Sequence, residues 1–299
     1  MSDPLVYILI LNWNSKDKTI DCLNALRDLD YSNYKIVIID NGSQDGSESF
    51  FKMNHPEHFF IQTGKNQGYA GGNNYGIRLA SSHGADYVWI LNPDTLVSSD
   101  SLRLMITATE NDPRVGVCGP RIQNYKEPCV QLIAGFSLFP ELGYYVEYRV
   151  VNETSNITVP TIENVDFVIG CSMLIKMEVL KKTGLLREDF FIYYEEVEFS
   201  LRARSMGWIS IICNQACDRH FSVGQDNLKK YYFLYRNPII LSRIQNKYVF
   251  KAIRAVLGTK KIRVIYGKTG AIEAIKHTLI ILLAVIAGLM KPLREIPKL

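Results

Sequence analysis

The first 120 residues alternate between short apolar runs and longer segments in which apolar residues recur at helical spacing. Five runs have the length and composition of strands that are buried on both faces, and they lie at residues 5–11, 35–40, 59–62, 87–91 and 115–119. Between them, segments such as Lys16–Leu29 carry apolar residues three positions apart, as amphipathic helices do. The alternation predicts an α/β fold with a Rossmann-like, mostly parallel sheet that is flanked by helices.

The regular pattern weakens after Arg121. Prolines and a tyrosine-rich piece interrupt residues 121–164, so we expect a loop excursion or small antiparallel elements there, next to the substrate. Beyond this stretch the pattern predicts a strand at residues 208–213 and helices near residues 196–205, 226–245, 249–256 and 271–290. We therefore divide the chain into an α/β domain at residues 1–225, with halves at 1–120 and 121–225, and a helical C-terminal region at residues 226–299.

Basic residues are concentrated at the C-terminal end, although the formal net charge is only +4. From Lys229 onward there are 15 basic residues against 2 acidic ones, and the residues before it hold 19 against 28. This asymmetry suggests an anionic partner, either membrane phospholipid or another polyanion, unless it is a solvated helical face. The apolar run Thr278–Met290 is shorter than the about 20 residues that span a bilayer, so it fits a packed core helix or an interfacial anchor. The Lys and Arg residues that flank the run favour the anchor.

Other features of the sequence disfavour several classes of protein. The six cysteines lack paired metal-ligand spacing and no secretory leader opens the chain, which predicts reduced thiols in a cytosolic protein. The glycine-rich loop at residues 64–74 lacks a dinucleotide fingerprint, and Gly267-Lys268-Thr269 lacks the upstream glycine of a P-loop. NAD enzymes and P-loop kinases are therefore disfavoured. A nucleotidyltransferase is disfavoured too, because the turn after the first strand is not rich in glycine and basic residues.

Acidic residues end or follow several predicted elements. In open α/β sheets ligands lie at the carboxyl ends of the strands. There Asp40 could bond a ribose or a base edge, and Asp94 could hold a divalent cation on a diphosphate. Glu195 or Glu196 could act as a general base, and His220 could add a metal ligand. On spacing alone each residue also fits a structural role, such as a turn, a favourable acid in a first helical turn or a core histidine.

Six segments of the sequence together resemble a known family. They are ILILNWNSKDKTIDCLNAL, IVIIDNGSQDGS, NQGYAGGNNYGI, WILNPDT, GCSMLIK and FFIYYEEVEFSLRARSMGW. In this order they are similar to the bacterial family 2 inverting glycosyltransferases of the GT-A fold, and most of all to the rhamnosyltransferase-like branch that builds cell-surface polysaccharide. The resemblance covers roughly residues 5–245. It implies that residues 1–120 bind the nucleotide-sugar and that residues 121–225 form the acceptor and catalytic half.

The resemblance also implies which residues bind the donor. Asn12 and Asn14 would line the nucleotide pocket, and Asp40 would contact the base or the ribose. Four residues of the glycine-rich loop would lie near the base and the diphosphate, namely Asn66, Gly68, Gly71 and Asn74. Arg202 would neutralise a phosphate or a nearby acid.

A metal site and a catalytic base follow from the same resemblance. Asp94 stands at the metal-binding acid of a DXD-type motif, with Asn92 in place of the first acid, and His220 matches a metal-ligating histidine. The metal would be Mn²⁺ or Mg²⁺. Glu196 falls at the second position of an ED-type pair, where the family's base is usually Asp, and Glu195 is the fallback.

The implied reaction is the transfer of a sugar, with inversion, from a nucleotide-diphosphate donor to a glycan or a polyprenyl-diphosphate-linked saccharide. The first donor that the resemblance suggests is dTDP-rhamnose. The alternative within the same fold is a UDP-hexose or galactofuranose transferase. The alternative from a different class is a non-catalytic sugar-nucleotide-binding or scaffold protein. We expect a cytoplasmic protein that is peripheral on the cytoplasmic face of the inner membrane and binds no nucleic acid. A homo-oligomer is left open.

Overall fold

The computed structural model describes residues 3–124, 130–142, 144–152, 160–221, 228–257 and 271–299. Four parallel strands form one half of its sheet, in the order β3-β2-β1-β4. These strands are β1 (Val6–Asn12), β2 (Tyr34–Asp40), β3 (Phe59–Gln62) and β4 (Tyr87–Leu91). β1 and β2 pair in register up to Asn12 opposite Asp40, so two predicted site residues end their strands side by side.

Helices cover both faces of this parallel half. They are α1 (Lys16–Leu26), α2 (Ser47–Asn54), α3 (Gly68–Ser82) and α4 (Ser101–Glu110). Successive side chains of a strand point to opposite faces of the sheet. Leu9 of β1 therefore shares a core cluster with Ile77 of α3, whereas Ile8 and Ile10 share another with Leu23 of α1. Burial on both faces explains why these strands are continuous apolar runs.

The later strands extend the same sheet with mixed directions. β11 (Ser172–Lys176) lies antiparallel between β4 and β6 (Val115–Asn124), and β12 (Ile209–His220) runs parallel to β6. The other strands are β5 (Thr95–Leu96), β7 (Val130–Phe139), β8 (Tyr145–Asn152), β9 (Ile162–Val165) and β10 (Phe167–Val168). Helix α5 (Met177–Thr183) follows β11, and α6 (Glu195–Ser205) precedes β12.

Of the two alternatives expected for residues 121–164, a loop excursion or small antiparallel elements, the described parts form the second, with the end of β6, the antiparallel pair β7 and β8, and most of β9. One other expectation for this part of the chain needs correction. The strand predicted at residues 208–213 continues to His220, because an irregularity between Cys213 and Cys217 lets β12 resume pairing with β6. His220 thus belongs to a strand. The five described cysteines are free thiols, as predicted, and Cys129 lies outside the described residues.

In the described residues after β12 there are three helices, namely α7 (Leu228–Ile244), α8 (Val249–Leu257) and α9 (Ala271–Met290). α9 packs on α7 at Gly288, where a Cβ would lie 3.0 Å from Cβ of Ile239 and 3.1 Å from the carbonyl oxygen of Arg236. Apolar side chains on the other side of α9 are about half exposed, and they include Leu279, Leu282, Leu283 and Ile286. Among the described helices, none is long and apolar enough to cross a membrane.

Candidate active site

A cleft of about 220 Å³ opens at the carboxyl ends of the parallel strands. Four predicted site residues line it, namely Asn66, Gly68, Asn92 and Asp94. A larger depression of about 700 Å³ lies at the amino ends of β2 and β3, and none of the predicted site residues lines it. Because ligands of such sheets bind at the carboxyl ends, the smaller cleft is the candidate site.

Asn12, Asn14 and Asp40 are brought together through Ser43. The Ser43 hydroxyl oxygen accepts hydrogen bonds from Nδ2 of Asn12 (3.1 Å) and from the backbone N–H of Asn14 (2.9 Å). The backbone N–H of Ser43 donates to Oδ1 of Asp40 (2.8 Å). Oδ2 of Asp40 is buried and has no hydrogen-bond partner among the described residues. Since a buried carboxylate oxygen without a partner is costly, this atom is suited to accept a hydrogen bond from a ligand.

Asn41, which the sequence reasoning missed, organises the glycine-rich loop. Its Nδ2 donates to the carbonyl oxygen of Gly68 (3.1 Å) and to Oδ1 of Asn66 (3.2 Å), and its Oδ1 accepts from the backbone N–H of Gln67 (2.9 Å). Gly68 has a φ of +74°, and a Cβ there would overlap the carbonyl oxygen of Phe191. The signal that could have identified Asn41 is its place directly after Asp40, at the end of β2.

Gly71 and Asn74 lie in α3, beyond the residues that line the cleft. A Cβ on Gly71 would stand 2.8 Å from Cβ of Gln67, so the position is tightly packed. Asn74 is fully buried, and its side chain exchanges hydrogen bonds with the backbone of Leu186 at 2.9 and 3.1 Å. Its Nδ2 also donates to Oε1 of Glu188 (3.1 Å). Asn74 therefore holds the segment that leads towards α6.

Asp94 and His220 form a pair at the cleft. Oδ1 of Asp94 lies 3.0 Å from Nε2 of His220, and Thr95 pairs with His220 across β5 and β12, which fixes the two side chains. Nζ of Lys18 lies 3.5 Å from Oδ2 of Asp94. Burial raises the pKa of Asp94, but the hydrogen bond and charge of His220, with the charge of Lys18, outweigh it and hold that pKa below its usual value.

This pair fits two ligands of one divalent cation. Adjacent ligands at about 2.1 Å from an octahedral ion are about 3.0 Å apart, and such ions take their remaining ligands from water and substrate phosphates. A group of three side chains that could hold an ion lies elsewhere in the described part of the chain, at His55, Glu57 and His58. That group precedes the amino end of β3, far from a diphosphate bound at the carboxyl ends.

The two predicted bases differ from the third acid in the same helical turn. Glu198 forms a buried ion pair with Arg202, at 2.9 Å between Oε2 and Nη2. Arg202 also donates to backbone carbonyls of residues 183–185, which brings it to the joint between α5 and α6 and not to the cleft lining. By contrast, the Oε2 atoms of Glu195 and Glu196 are buried and lack a hydrogen-bond partner among the described residues.

Burial raises the pKa of Glu196 to about 7. Burial and then the neighbouring charge of Glu196 raise the pKa of Glu195 well above its usual range. Tyr69 lines the cleft, and burial and then the charges of Glu195 and Glu196 raise the pKa of its hydroxyl. Glu195 and Glu196 therefore lie close to a residue of the cleft lining. A carboxyl group with a pKa near 7 can accept a proton at neutral pH, as a general base does.

Comparisons of the sequence with known proteins agree with this geometry. Residues 7–184 match the model of glycosyl transferase family 2. The low-salt glycan biosynthesis hexosyltransferase Agl10 of Haloferax volcanii is 29% identical over 206 residues, which are 66% of this chain and 61% of Agl10. A poly-β-1,6-N-acetyl-D-glucosamine synthase of Staphylococcus aureus is 34% identical over 123 residues, which are 40% of this chain and 29% of the synthase. The matches thus span less than two thirds of either relative.

Solved structures share the fold. The mannosyltransferase PcManGT of Pyrobaculum calidifontis, solved with GDP-Man and Mn²⁺, matches with a TM-score of 0.60 and 13% identity over 97% of this chain and 88% of that one. Residues 1–349 of S. aureus TarS match with a TM-score of 0.60 and 10% identity over 96% of this chain and 81% of that one. At such low identity the likeness shows the fold alone, and it confirms the predicted GT-A type.

Proposed function

Since the chain belongs to glycosyl transferase family 2, we propose that it transfers a sugar, with inversion, from a nucleoside-diphosphate donor to a glycan or lipid-linked acceptor. One observation carries this proposal. Three polar groups lie on or next to residues that line one cleft: the partnerless Oδ2 of Asp40 beside Asn41, the Asp94–His220 pair, and the partnerless Oε2 of Glu196, whose charge acts on Tyr69. We assign Asp40 to the nucleoside, the Asp94–His220 pair to the metal on the diphosphate, and Glu196 to the acceptor hydroxyl.

The nucleoside half of the donor binds near the ends of β1 and β2. Oδ2 of Asp40 accepts a hydrogen bond from the base or the ribose, while Ser43 and the asparagines around it hold that carboxylate in place. Trp13 lines the cleft and is 50% exposed, so its ring is available to stack on a base. Asn66 and Gly68 line the cleft beside it and contact the diphosphate side of the donor.

Asp94 and His220 would hold a divalent cation, Mn²⁺ or Mg²⁺. Bound there, the cation would neutralise charge that develops on the departing nucleoside diphosphate. Nζ of Lys18, 3.5 Å from Asp94, adds a positive charge at the same position. PcManGT, which was solved with both GDP-Man and Mn²⁺, supports a divalent metal in this fold.

Glu196 is the general base of the transfer. It takes the proton of the acceptor hydroxyl while that oxygen bonds to the anomeric carbon, and the bond from this carbon to the diphosphate oxygen breaks with its electron pair. One displacement from the opposite face inverts the anomeric configuration. Burial raises the pKa of Glu196 to about 7, which suits a base at neutral pH, whereas burial and the charge of Glu196 raise the pKa of Glu195 well above its usual value; we therefore assign the base to Glu196.

Nucleotide binding tests the donor half of this proposal. The motifs favour dTDP-rhamnose, and UDP-hexoses follow, so the melting temperature is measured with dTDP, UDP and GDP, each with Mn²⁺ or EDTA. We expect one nucleotide to stabilise the protein only when metal is present, and Asp94→Asn to abolish this effect. Asp100→Asn, at an exposed acid outside the cleft, is the matched control. The assignment would be contradicted if nucleotide and metal stabilised Asp94→Asn as much as the wild type, or if no nucleotide stabilised the wild type.

We also propose that the protein acts as a peripheral protein at an anionic membrane surface, on the cytoplasmic face. The half-exposed apolar face of α9, with Lys276 exposed on the same helix, supports this. Co-sedimentation with vesicles that contain phosphatidylserine tests it. Leu283→Glu should weaken binding, and Met53→Glu, at an exposed apolar residue of α2, should not. Unchanged binding of Leu283→Glu would assign α9 another role.

A further inference from the structure

A strained segment of backbone leads into α6. Phe191, Tyr193 and Tyr194 have φ values of +69°, +67° and +75°, the left-handed region that residues with a Cβ rarely adopt. This conformation is unfavourable for a residue with a Cβ, and it persists only where the surrounding structure enforces it. We call residues 189–194 the base loop, because they end immediately before Glu195 and Glu196. Something outside the base loop must hold it in this shape.

Asn237 of α7 provides that hold. Its Nδ2 donates to the carbonyl oxygens of Phe190 (3.2 Å), Ile192 (2.8 Å) and Tyr193 (2.7 Å). The side chain of Asn237 is fully buried, and the environment of its bonds ranges from buried at Phe190 to part-buried at Ile192 and Tyr193. The two N–H groups of one amide, one of them shared, thus bond three carbonyls of a loop of six residues. Without the amide these carbonyls would lose a donor, which favours another loop conformation.

Arg236 fixes the orientation of the Asn237 amide. Nε of Arg236 donates to Oδ1 of Asn237 (2.8 Å), which turns Nδ2 towards the base loop. Nη2 of Arg236 donates to the carbonyl oxygens of Asp189 (3.0 Å) and Phe190 (2.5 Å). Both polar atoms of Asn237 are thus used, and the two residues together bond four of the six carbonyls of the base loop.

The base loop lines part of the cleft and is bonded to the start of α3. Phe191 and Ile192 line the cleft, and the carbonyl oxygen of Phe191 accepts the backbone N–H of Tyr69 (2.6 Å) at the start of α3. A general base needs to lie within hydrogen-bond reach of the proton that it removes. A shift of about 1 Å in a reacting group can cost about 10²-fold in rate. A loop that bears the base therefore needs a rigid support.

We propose that Asn237, oriented by Arg236, is a positioning residue that fixes the base loop and so directs Glu196 at the acceptor hydroxyl; this inference rests on the proposed function. No residue of α7 lines the cleft, so the helix acts through the base loop. Its contribution is to keep three left-handed residues in the one conformation that begins α6 with its carboxylates buried beside the cleft.

The test compares Asn237→Leu with Ser242→Ala. Leucine has a similar size and donates no hydrogen bond. Ser242 is also fully buried on α7, but its hydroxyl bonds only the carbonyl of Pro238 in its own helix, so it controls for a loosened helix. We measure kcat, the donor KM and hydrogen–deuterium exchange of the backbone amides in residues 189–195. Asn237→Leu should lower kcat by at least about tenfold, change the donor KM by less than about threefold and speed exchange in the base loop. Ser242→Ala should change none of these.

Several results would overturn the proposal. They are a kcat of Asn237→Leu close to the wild-type value, unchanged exchange of the base loop, or an equal loss in Ser242→Ala. If Asn237→Leu does not fold, Asn237→Asp replaces it, because aspartate keeps the shape and the bond from Arg236 but has no N–H to donate. If the wild-type protein transfers no sugar, the proposed function fails, and the exchange comparison still decides whether Asn237 fixes the base loop.

Discussion

Glu196→Gln removes the proposed base and leaves the shape of the site unchanged. Glutamine has nearly the same size as glutamate but cannot take a proton. Positioned general bases contribute about 10²–10⁴-fold to rate, so we expect kcat to fall by that factor. Nucleotide affinity should stay within about twofold, because the groups that bind the donor are untouched. The matched control is Glu195→Gln, which makes the same change at the neighbouring buried carboxyl and should lose far less activity if Glu196 is the base.

The same substitution should stabilise the protein at alkaline pH. Burial raises the pKa of Glu196 from 4.5 to about 7, so the folded state disfavours its ionised form. The folded protein binds the extra proton between these two values, and its stability therefore falls as the pH rises through this window. The shift corresponds to a ceiling of about 3 kcal/mol above pH 7. In urea unfolding, Glu196→Gln should exceed the wild type in stability at pH 8 and match it near pH 4.5.

Two results would refute this reasoning. If Glu196→Gln keeps more than about a tenth of the wild-type kcat, Glu196 is not the base. If Glu195→Gln is instead the inactive variant, the base is Glu195. A variant that is no more stable than the wild type at pH 8 would show that the carboxyl of Glu196 is not buried as described.

Three further predictions follow from the same geometry. Calorimetry should show that Asp94→Asn weakens Mn²⁺-dependent nucleotide binding by at least about tenfold, because one of two protein ligands is lost; unchanged affinity in the presence of Mn²⁺ would contradict the site. The kcat should rise about tenfold from pH 6 to pH 8 with a midpoint near 7, the pKa of Glu196, and a flat profile over this range would exclude it as the base. Asp189→Ala should lower the free energy of unfolding by about 3–5 kcal/mol, because it leaves Arg187 buried without its 2.9 Å partner, and a loss below about 1 kcal/mol in urea unfolding would show that the ion pair is not structural.

The parallel half of the sheet could be predicted from the sequence because each element carries its own signal. The strand Tyr87–Leu91 is a continuous apolar run that ends at Asn92-Pro93, and it is observed with these same bounds. The helix predicted at Lys16–Leu29 is observed at Lys16–Leu26, which differs only at its end. Local pattern suffices here, since burial on both faces of a parallel sheet requires apolar strands.

The later strands depend on partners that are distant in sequence. β12 contains Asp218, whose polar side chain argues against a buried strand. That carboxylate accepts hydrogen bonds from Ser101 (2.5 Å) and Ser172 (2.9 Å), on two other elements, so its burial is satisfied only in the folded protein. Burial nevertheless raises its pKa to about 6. No spacing within the sequence indicates these hydrogen bonds of Asp218 to Ser101 and Ser172. The sequence therefore predicts a strand that ends at residue 213.

The candidate site also combines residues that the sequence predicts with residues whose role only the fold reveals. Asp94 and His220 were expected together from the resemblance, and the structure brings their side chains within 3.0 Å although they lie 126 residues apart. The roles of Asn41, which lies in the segment IVIIDNGSQDGS, and of Asn237 could not be predicted, because their side chains bond backbone carbonyls that only the fold brings to them. Three aromatic residues in left-handed conformation could not be expected either, since local preference opposes it.

The release of nucleoside diphosphate tests the central claim most directly. Purified protein is incubated with UDP-, dTDP- and GDP-sugars, each with Mn²⁺, Mg²⁺ or EDTA, and the freed diphosphate is quantified. We predict slow release from one class of donor that requires a divalent metal and disappears in Asp94→Asn. Binding of a nucleotide without release would call for acceptors to be added to the assay. If no nucleotide binds and no diphosphate is released across the whole panel, the assignment as a glycosyltransferase is contradicted.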